Sequence, residues 1–369
     1  MISIYSNNYA HDPIISSLNF QHRVYRSVSE YVAASSDIKI AFISHQNCFE
    51  PFESEEDRVA WVNNNGFSNL IQQLKLVSNL VFVFDNEIHP YHKKLFEQHC
   101  QSNVYWVIPG HVNDLRIDKK NVILWNLFLN NTKMFYSNIL FKLEELNHNS
   151  VKPLYFDALL GQIRSHRDFL YQKIKDNNLQ NKIKLTYLNP FVNDESIKFE
   201  WDSNINKSEV EHTEHLIITY QQVSYHGQQQ PMARVIPIHV YNQTAYSIIA
   251  ETGFENFYSF YTEKTAKAML AKRLFVMFSG YRFLENLQQI GFQTFGNVID
   301  ESYDLISDNQ QRWSAAFEQV KKLCNMDQHE VFEKISPVVE HNYSLLMNTD
   351  WDQHMMNQIH RKINDYTTI

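Results

Sequence analysis

The stretch that decides the fold runs from Thr244 to Asp304: TAYSIIAETGFENFYSFYTEKTAKAMLAKRLFVMFSGYRFLENLQQIGFQTFGNVIDESYD. An apolar run, Ala245–Ala250, ends at the acid Glu251. A short aromatic-rich loop, Phe254–Phe260, then leads to Tyr261-Thr262-Glu263-Lys264. Residues Thr262–Lys272 read as a helix, and Leu274–Phe278 as a second apolar strand. Apolar strands alternating with helices are the pattern of a parallel sheet covered on both faces. Ligands of such sheets bind outside the carboxyl ends of the strands. The order therefore sets one carboxylate and one ammonium at the mouth of an α/β crevice, beside a helix N-terminus that attracts anions.

The same alternation extends outward in both directions. In the first half the strand candidates are Ile2–Tyr5, Ile38–Ser44, Leu80–Asp85, Val104–Ile108 and Val122–Trp125, separated by amphipathic segments such as Asp57–Val77 and His89–His99. Asn147–Lys152 is polar, precedes a proline and reads as a linker. The pattern then restarts with a strand at Leu154–Leu159, a helix at Arg164–Lys175 and strands at Lys182–Leu188 and Ile217–Tyr220. Phe191–Glu214 is polar and acidic and reads as a surface excursion. A further helix is expected at Tyr281–Ile290, and everything from Asn309 is helical by period. The expected fold is α/β: two Rossmann-like domains facing a cleft, residues 1–150 and 151–308, with a helical C-terminus over 309–369. The last helical stretch, Trp351–Asn364, is expected to cross back over the first domain.

Composition removes several alternatives. The 369 residues are 44% hydrophobic and 20% charged, so the chain is globular rather than disordered. A net charge of −8 disfavours a dedicated, sequence-independent DNA binder. Cys48, Cys100 and Cys324 are far apart and form no CxxC, which points away from a disulfide scaffold or zinc and towards a reducing compartment. With only eight glycines there is no GxGxxG and no Walker A sequence, which counts against a dehydrogenase or a P-loop kinase. The N-terminus enters a strand pattern directly, and no apolar run is long enough to span a bilayer. A cytoplasmic protein is the expectation.

Few residues carry chemistry. Thr262 suits an N-cap, and Glu263 suits the first helical turn, where the dipole favours an acid. Lys264 is disfavoured there in an isolated helix, and a bound diphosphate reverses that balance; an ordinary capped helix with a solvated lysine is the plain alternative. Arg164-Ser165-His166-Arg167 opens a helix behind the first strand of the second domain. An arginine fork there suits two phosphate oxygens, against a reading as a solvated basic turn. Tyr246 is a candidate for lining a nucleotide pocket or for core packing. Asp85 and Glu87, just past a strand of the first domain, are the acids placed to serve as a general base, with His111 after another strand, against a reading as caps or surface turns. Asp300, Glu301 and Asp304 read as a capping or solvated loop. No histidine shows metal-ligand spacing and there is no clear Asp-x-Asp.

Residues Ser247–Lys264 and the following strand resemble the donor-binding region of fucosyltransferase-type glycosyltransferases of the GT-B class. These have Phe-Glu-Asn at a strand end and Thr-Glu-Lys opening a helix. The segment, with Gly291–Phe295 and Ile299–Asp304, is more similar still to glycosyltransferase-like proteins encoded by phages and environmental bacteria. The resemblance covers the second half of the chain only. It implies a metal-independent transferase using a UDP- or GDP-linked sugar, with no separate cofactor. Lys264 and Arg167 or Arg164 would lie on the diphosphate. Glu251, or Glu255 by the literal Phe254-Glu255-Asn256 triplet, would lie on donor hydroxyls. The acceptor would be a glycan or, for a phage protein in its host's cytoplasm, a modified DNA base. The other reading is a non-catalytic interaction protein on a decayed transferase scaffold. The chain departs from the family in the spacing to Thr262 and in lacking a bulky residue after Lys264.

Overall fold

The computed structural model describes residues 1–44, 66–86, 90–99, 103–113, 119–138, 146–148, 150–187, 216–218, 222–225, 228–231 and 236–367. The chain divides into two compact units: Met1–Leu127 together with Asp350–Ile369, and Phe128–Thr349. Each is an α/β unit built on a parallel sheet, and the C-terminal part of the chain is helical.

The first unit holds six parallel strands: β1 (Ile2–Ser6), β2 (His22–Tyr25), β3 (Lys39–Ser44), β4 (Leu80–Phe84), β5 (Val104–Ile108) and β6 (Val122–Leu124). Their order is β2-β1-β3-β4-β5-β6. The central strands bury nearly every residue, as parallel strands covered on both faces must. Helices α1 (Gly66–Val77) and α2 (Pro90–His99) follow β3 and β4. One core gathers Ile4, Ile40, Phe42, Phe82 and Phe84 with Met355, Ile359 and Ile363, so the last helix of the chain completes the first unit.

The second unit repeats the plan with four parallel strands: β7 (Leu154–Leu160), β8 (Ile183–Tyr187), β9 (Thr244–Ala250) and β10 (Phe275–Phe278), in the order β10-β9-β7-β8. Its helices include α3 (Ser165–Asp176), α4 (Glu263–Leu270), α5 (Phe283–Gln289), α6 (Asn309–Leu323) and α7 (Gln328–Asn348), and α8 (Trp351–Thr367) belongs to the first unit. The strand expected at Ile217–Tyr220 lies instead at Leu216–Ile218, in a separate antiparallel sheet with Gln222–Tyr225 and Gln228–Pro231. The expected excursion at Phe191–Glu214 lies outside the described residues.

Register explains how the second sheet is locked. Ser247 lies beside Asp157 on one side and Phe275 on the other. The Ser247 hydroxyl donates to Asp157 Oδ1 at 2.8 Å, and Arg273 reaches the same oxygen at 2.8 Å. Arg273 also donates to Ser247 Oγ and to the carbonyls of Tyr241, Thr244 and Tyr246. Both members of this ion pair are buried, so these extra hydrogen bonds offset the cost of removing the charges from water.

Candidate functional site

In both units the strand order reverses between the first and third strands, which is where open parallel sheets bind ligands. In the second unit this point lies between β7 and β9. The loops leaving it are residues 161–164, which enter α3, and residues 251–262, which enter α4. The carboxylate, the Thr-Glu-Lys and the arginine pair singled out in the sequence therefore share one end of one sheet.

Glu251 is fully buried at the end of β9. One carboxylate oxygen accepts from the Thr262 amide at 3.3 Å and the Thr265 hydroxyl at 2.6 Å. The other accepts from the Thr252 amide at 3.0 Å and the Thr262 hydroxyl at 2.5 Å. Protein donors thus occupy the acceptor positions expected to face donor hydroxyls. Glu251 ties the strand end, the loop and the first turn of α4 into one piece. The alternative acid, Glu255, is also turned inward, accepting from the Phe254 amide and the Tyr258 hydroxyl. Across the loop, Ser279 donates to Gly253 O and Asn256 accepts from the Tyr281 amide. A side chain at Gly280 would place its Cβ 2.3 Å from Glu255 O, so the turn after β10 and this loop approach as closely as glycine allows.

Thr262 is the N-cap of α4, its side chain accepting from the Lys264 amide. Lys264 Nζ lies 2.9 Å from Glu263 Oε1, 3.2 Å from Thr252 Oγ1 and 3.3 Å from Thr262 Oγ1, with a quarter of its side chain exposed. Burial pushes the Glu263 carboxyl up, but Lys264 and Lys267 outweigh it and hold the group below its ordinary value. Lys267, one turn on, is buried; desolvation lowers its amine to about 8 although Glu263 pulls the other way.

The arginine pair divides. Arg167 is buried and donates to the carbonyls of Gln162 at 2.7 Å, Ala250 at 3.2 Å and Glu251 at 3.4 Å, so it fastens α3 to the end of β9. Burial, then Arg164, lowers it to about 10. His166 donates Nε2 to Glu251 O at 2.8 Å and is held neutral, its pKa pushed to about 3 by burial and then by Arg167, with Arg164 and Lys264 adding to the effect. Arg164, half-buried at the N-cap position of α3, accepts from the amides of Arg167 and Asp168 at its backbone carbonyl, but its guanidinium has no hydrogen bond or ion pair among the described residues. It is the arginine whose fork is available. His166 Nδ1 and Arg167 Nε are buried at this junction without a hydrogen-bond partner.

The remaining candidates are placed elsewhere. Tyr246 is in the core, its ring 5.3 Å from that of Phe156 and 6.0 Å from that of Phe332, so it does not line the crevice. Asp85 is buried just past β4 in the first unit, His111 falls in the short strand Gly110–Val112, and Glu87 lies outside the described residues. Asp304 accepts from the amides of Leu284 and Glu285 at the start of α5, and Glu301 from Thr294 Oγ1 and the Phe295 amide. The acidic cluster is thus a capping loop. Sequence reading passed over Thr265 and Lys267. Both were accessible from spacing: Thr265 follows Thr262 by one turn, and Lys267 stands at i+4 from Glu263, an ordinary helical ion-pair position. Among the described residues, no helix is long and apolar enough to cross a membrane. The chain matches no protein-family model, no curated protein and no solved structure.

Proposed function

We propose that the chain is a nucleotide-sugar-dependent glycosyltransferase of the two-domain GT-B type, and that its second unit holds the donor. The observation that carries this reading is that Lys264, Arg164 and the N-terminus of α4 stand at the same end of one sheet, where both cations act on His166, beside a hydrogen-bonded base centred on Glu251. As the bond from the anomeric carbon to the diphosphate oxygen breaks, negative charge grows on the leaving diphosphate. Lys264, Arg164 and the helix dipole meet that charge from fixed positions. Glu251 and Arg167 act beneath them as positioning residues, and Glu251 is not assigned to the sugar. The donor is UDP- or GDP-linked, and the acceptor is a glycan or a modified DNA base. Inversion at the anomeric carbon would need a base, for which Asp85 of the first unit is the described candidate.

A thermal-shift screen against UDP, GDP, CMP and their sugars tests the reading, with Lys264→Ala as control. Stabilisation by one nucleotide, lost in the variant, is expected. One observation favours a second reading, a non-catalytic interaction protein: Glu251, Arg167 and Lys264 all have protein partners in the free chain. No nucleotide response, together with a stable protein complex, would select that reading.

A further inference from the structure

Neighbouring residues on a helix point in different directions, so a Glu–Lys pair at adjacent positions does not ordinarily meet. Glu263 and Lys264 do meet, at 2.9 Å, and Lys264 Nζ lies at the same time beside the hydroxyls of Thr252 and of the N-cap Thr262. The ammonium is therefore turned back over the start of α4, where an anion on the helix end would be bound. A cation at this end of a helix is disfavoured by the helix dipole. The adjacent carboxylate offsets that cost while the site is empty of ligand.

Glu263 is not committed to Lys264 alone. Lys267 interacts electrostatically with the same carboxylate from one turn further along. The carboxylate therefore lies in the field of two ammonium groups and keeps one when it yields the other. The two threonine hydroxyls remain on Lys264 after such an exchange, and Arg164 stands unpaired at the neighbouring βα junction.

From this arrangement we infer that Glu263 is a resident anion that occupies Lys264 until a ligand carrying at least two negative charges displaces it. The inference rests on the donor-site reading and adds to it a selection rule. A monoanion only replaces one carboxylate by another charge of the same size, whereas a diphosphate engages Lys264 and Arg164 together. The site thus discriminates by charge before any contact with base or sugar is made.

Isothermal titration of the full chain with inorganic pyrophosphate and with dimethyl phosphate tests this, using wild type, Glu263→Gln, Glu263→Ala and Lys264→Ala, each first shown to be folded by its thermal transition. Pyrophosphate should bind wild type and bind both Glu263 variants about ten-fold more tightly. Dimethyl phosphate should give measurable heat only with the Glu263 variants, and Lys264→Ala should bind neither probe. Pyrophosphate affinity that is unchanged or weaker in both Glu263 variants, with wild type binding, would overturn the inference and leave the donor site standing. Absence of pyrophosphate binding in wild type and Glu263 variants alike would overturn the donor site and this inference with it.

Discussion

Replacing Glu251 by alanine is the sharpest test of what organises the second unit. The substitution removes an acceptor for four donors: two amides, of Thr252 and Thr262, and two hydroxyls, of Thr262 and Thr265. Hydrogen bonds to a charged group contribute about 1.5–3 kcal/mol each, but the four share one carboxylate and do not add. Hydroxyls can rotate to new partners, and the Thr252 amide is near the surface. The Thr262 amide, buried and donating to Glu251, loses its acceptor. A cost of about 3–5 kcal/mol is therefore expected for Glu251→Ala, the scale of a broken buried network. Glu251→Gln keeps one acceptor oxygen but turns an amino group towards backbone donors, so about 2 kcal/mol is expected. Urea unfolding followed by near-ultraviolet signals, with amide exchange at Thr252 and Thr262, reads the loss. A folded Glu251→Ala protein destabilised by less than about 1 kcal/mol that has lost nucleotide binding would refute the reasoning, because the carboxylate would then belong to the ligand.

Three further outcomes follow from the same physics. Arg273→Met should cost about 3–5 kcal/mol by leaving Asp157 buried without its partner, and Asp157→Leu added to it should recover part of the loss; urea midpoints of the single and double variants check this. Gly280→Ala should cost about 1–3 kcal/mol, since its Cβ meets a backbone oxygen that cannot move aside, and an unchanged melting temperature would contradict the close approach. His11 and His166 are both lowered to about 3, chiefly by burial and then by Arg26 and Arg167 respectively, so only the unfolded chain takes up their protons between pH 6.5 and 3. Stability should be full above pH 6.5 and fall by up to about 1.4 kcal/mol per pH unit for each histidine below it. His11→Gln should show a shallower dependence on acid, and an unchanged slope would count against the assignment.

The strands were readable wherever both faces are covered. Val81, Phe82, Val83 and Phe84 form an unbroken apolar run because helices lie above and below them, and Val104–Ile108 was located to the residue. The edge strand His22–Tyr25 escaped notice because its residues are only partly buried and no apolar run marks it. At the site, residue identity disclosed location but not direction. Arg164 and Arg167 are both arginines in one turn, yet the helix carries the second inward onto backbone carbonyls and leaves the first unpaired. Glu251 was read as a ligand group because strand-end acids often are. The two of its three threonine partners that lie 11 and 14 residues ahead become neighbours only once the loop closes.

The helix at Trp351–Thr367 has a consequence for how the protein is made. Its residues Met355, Ile359 and Ile363 belong to a core whose other members begin at Ile2, so the first unit draws on both ends of the chain. During synthesis the second unit, Phe128–Thr349, has all its residues outside the ribosome before the first does. The apolar face of the amino-terminal sheet must wait, uncovered, for the last helix to arrive. A nascent chain that has emerged as far as Thr349 would therefore expose a complete later unit and an unfinished earlier one, and chaperones would be expected to engage the amino-terminal half.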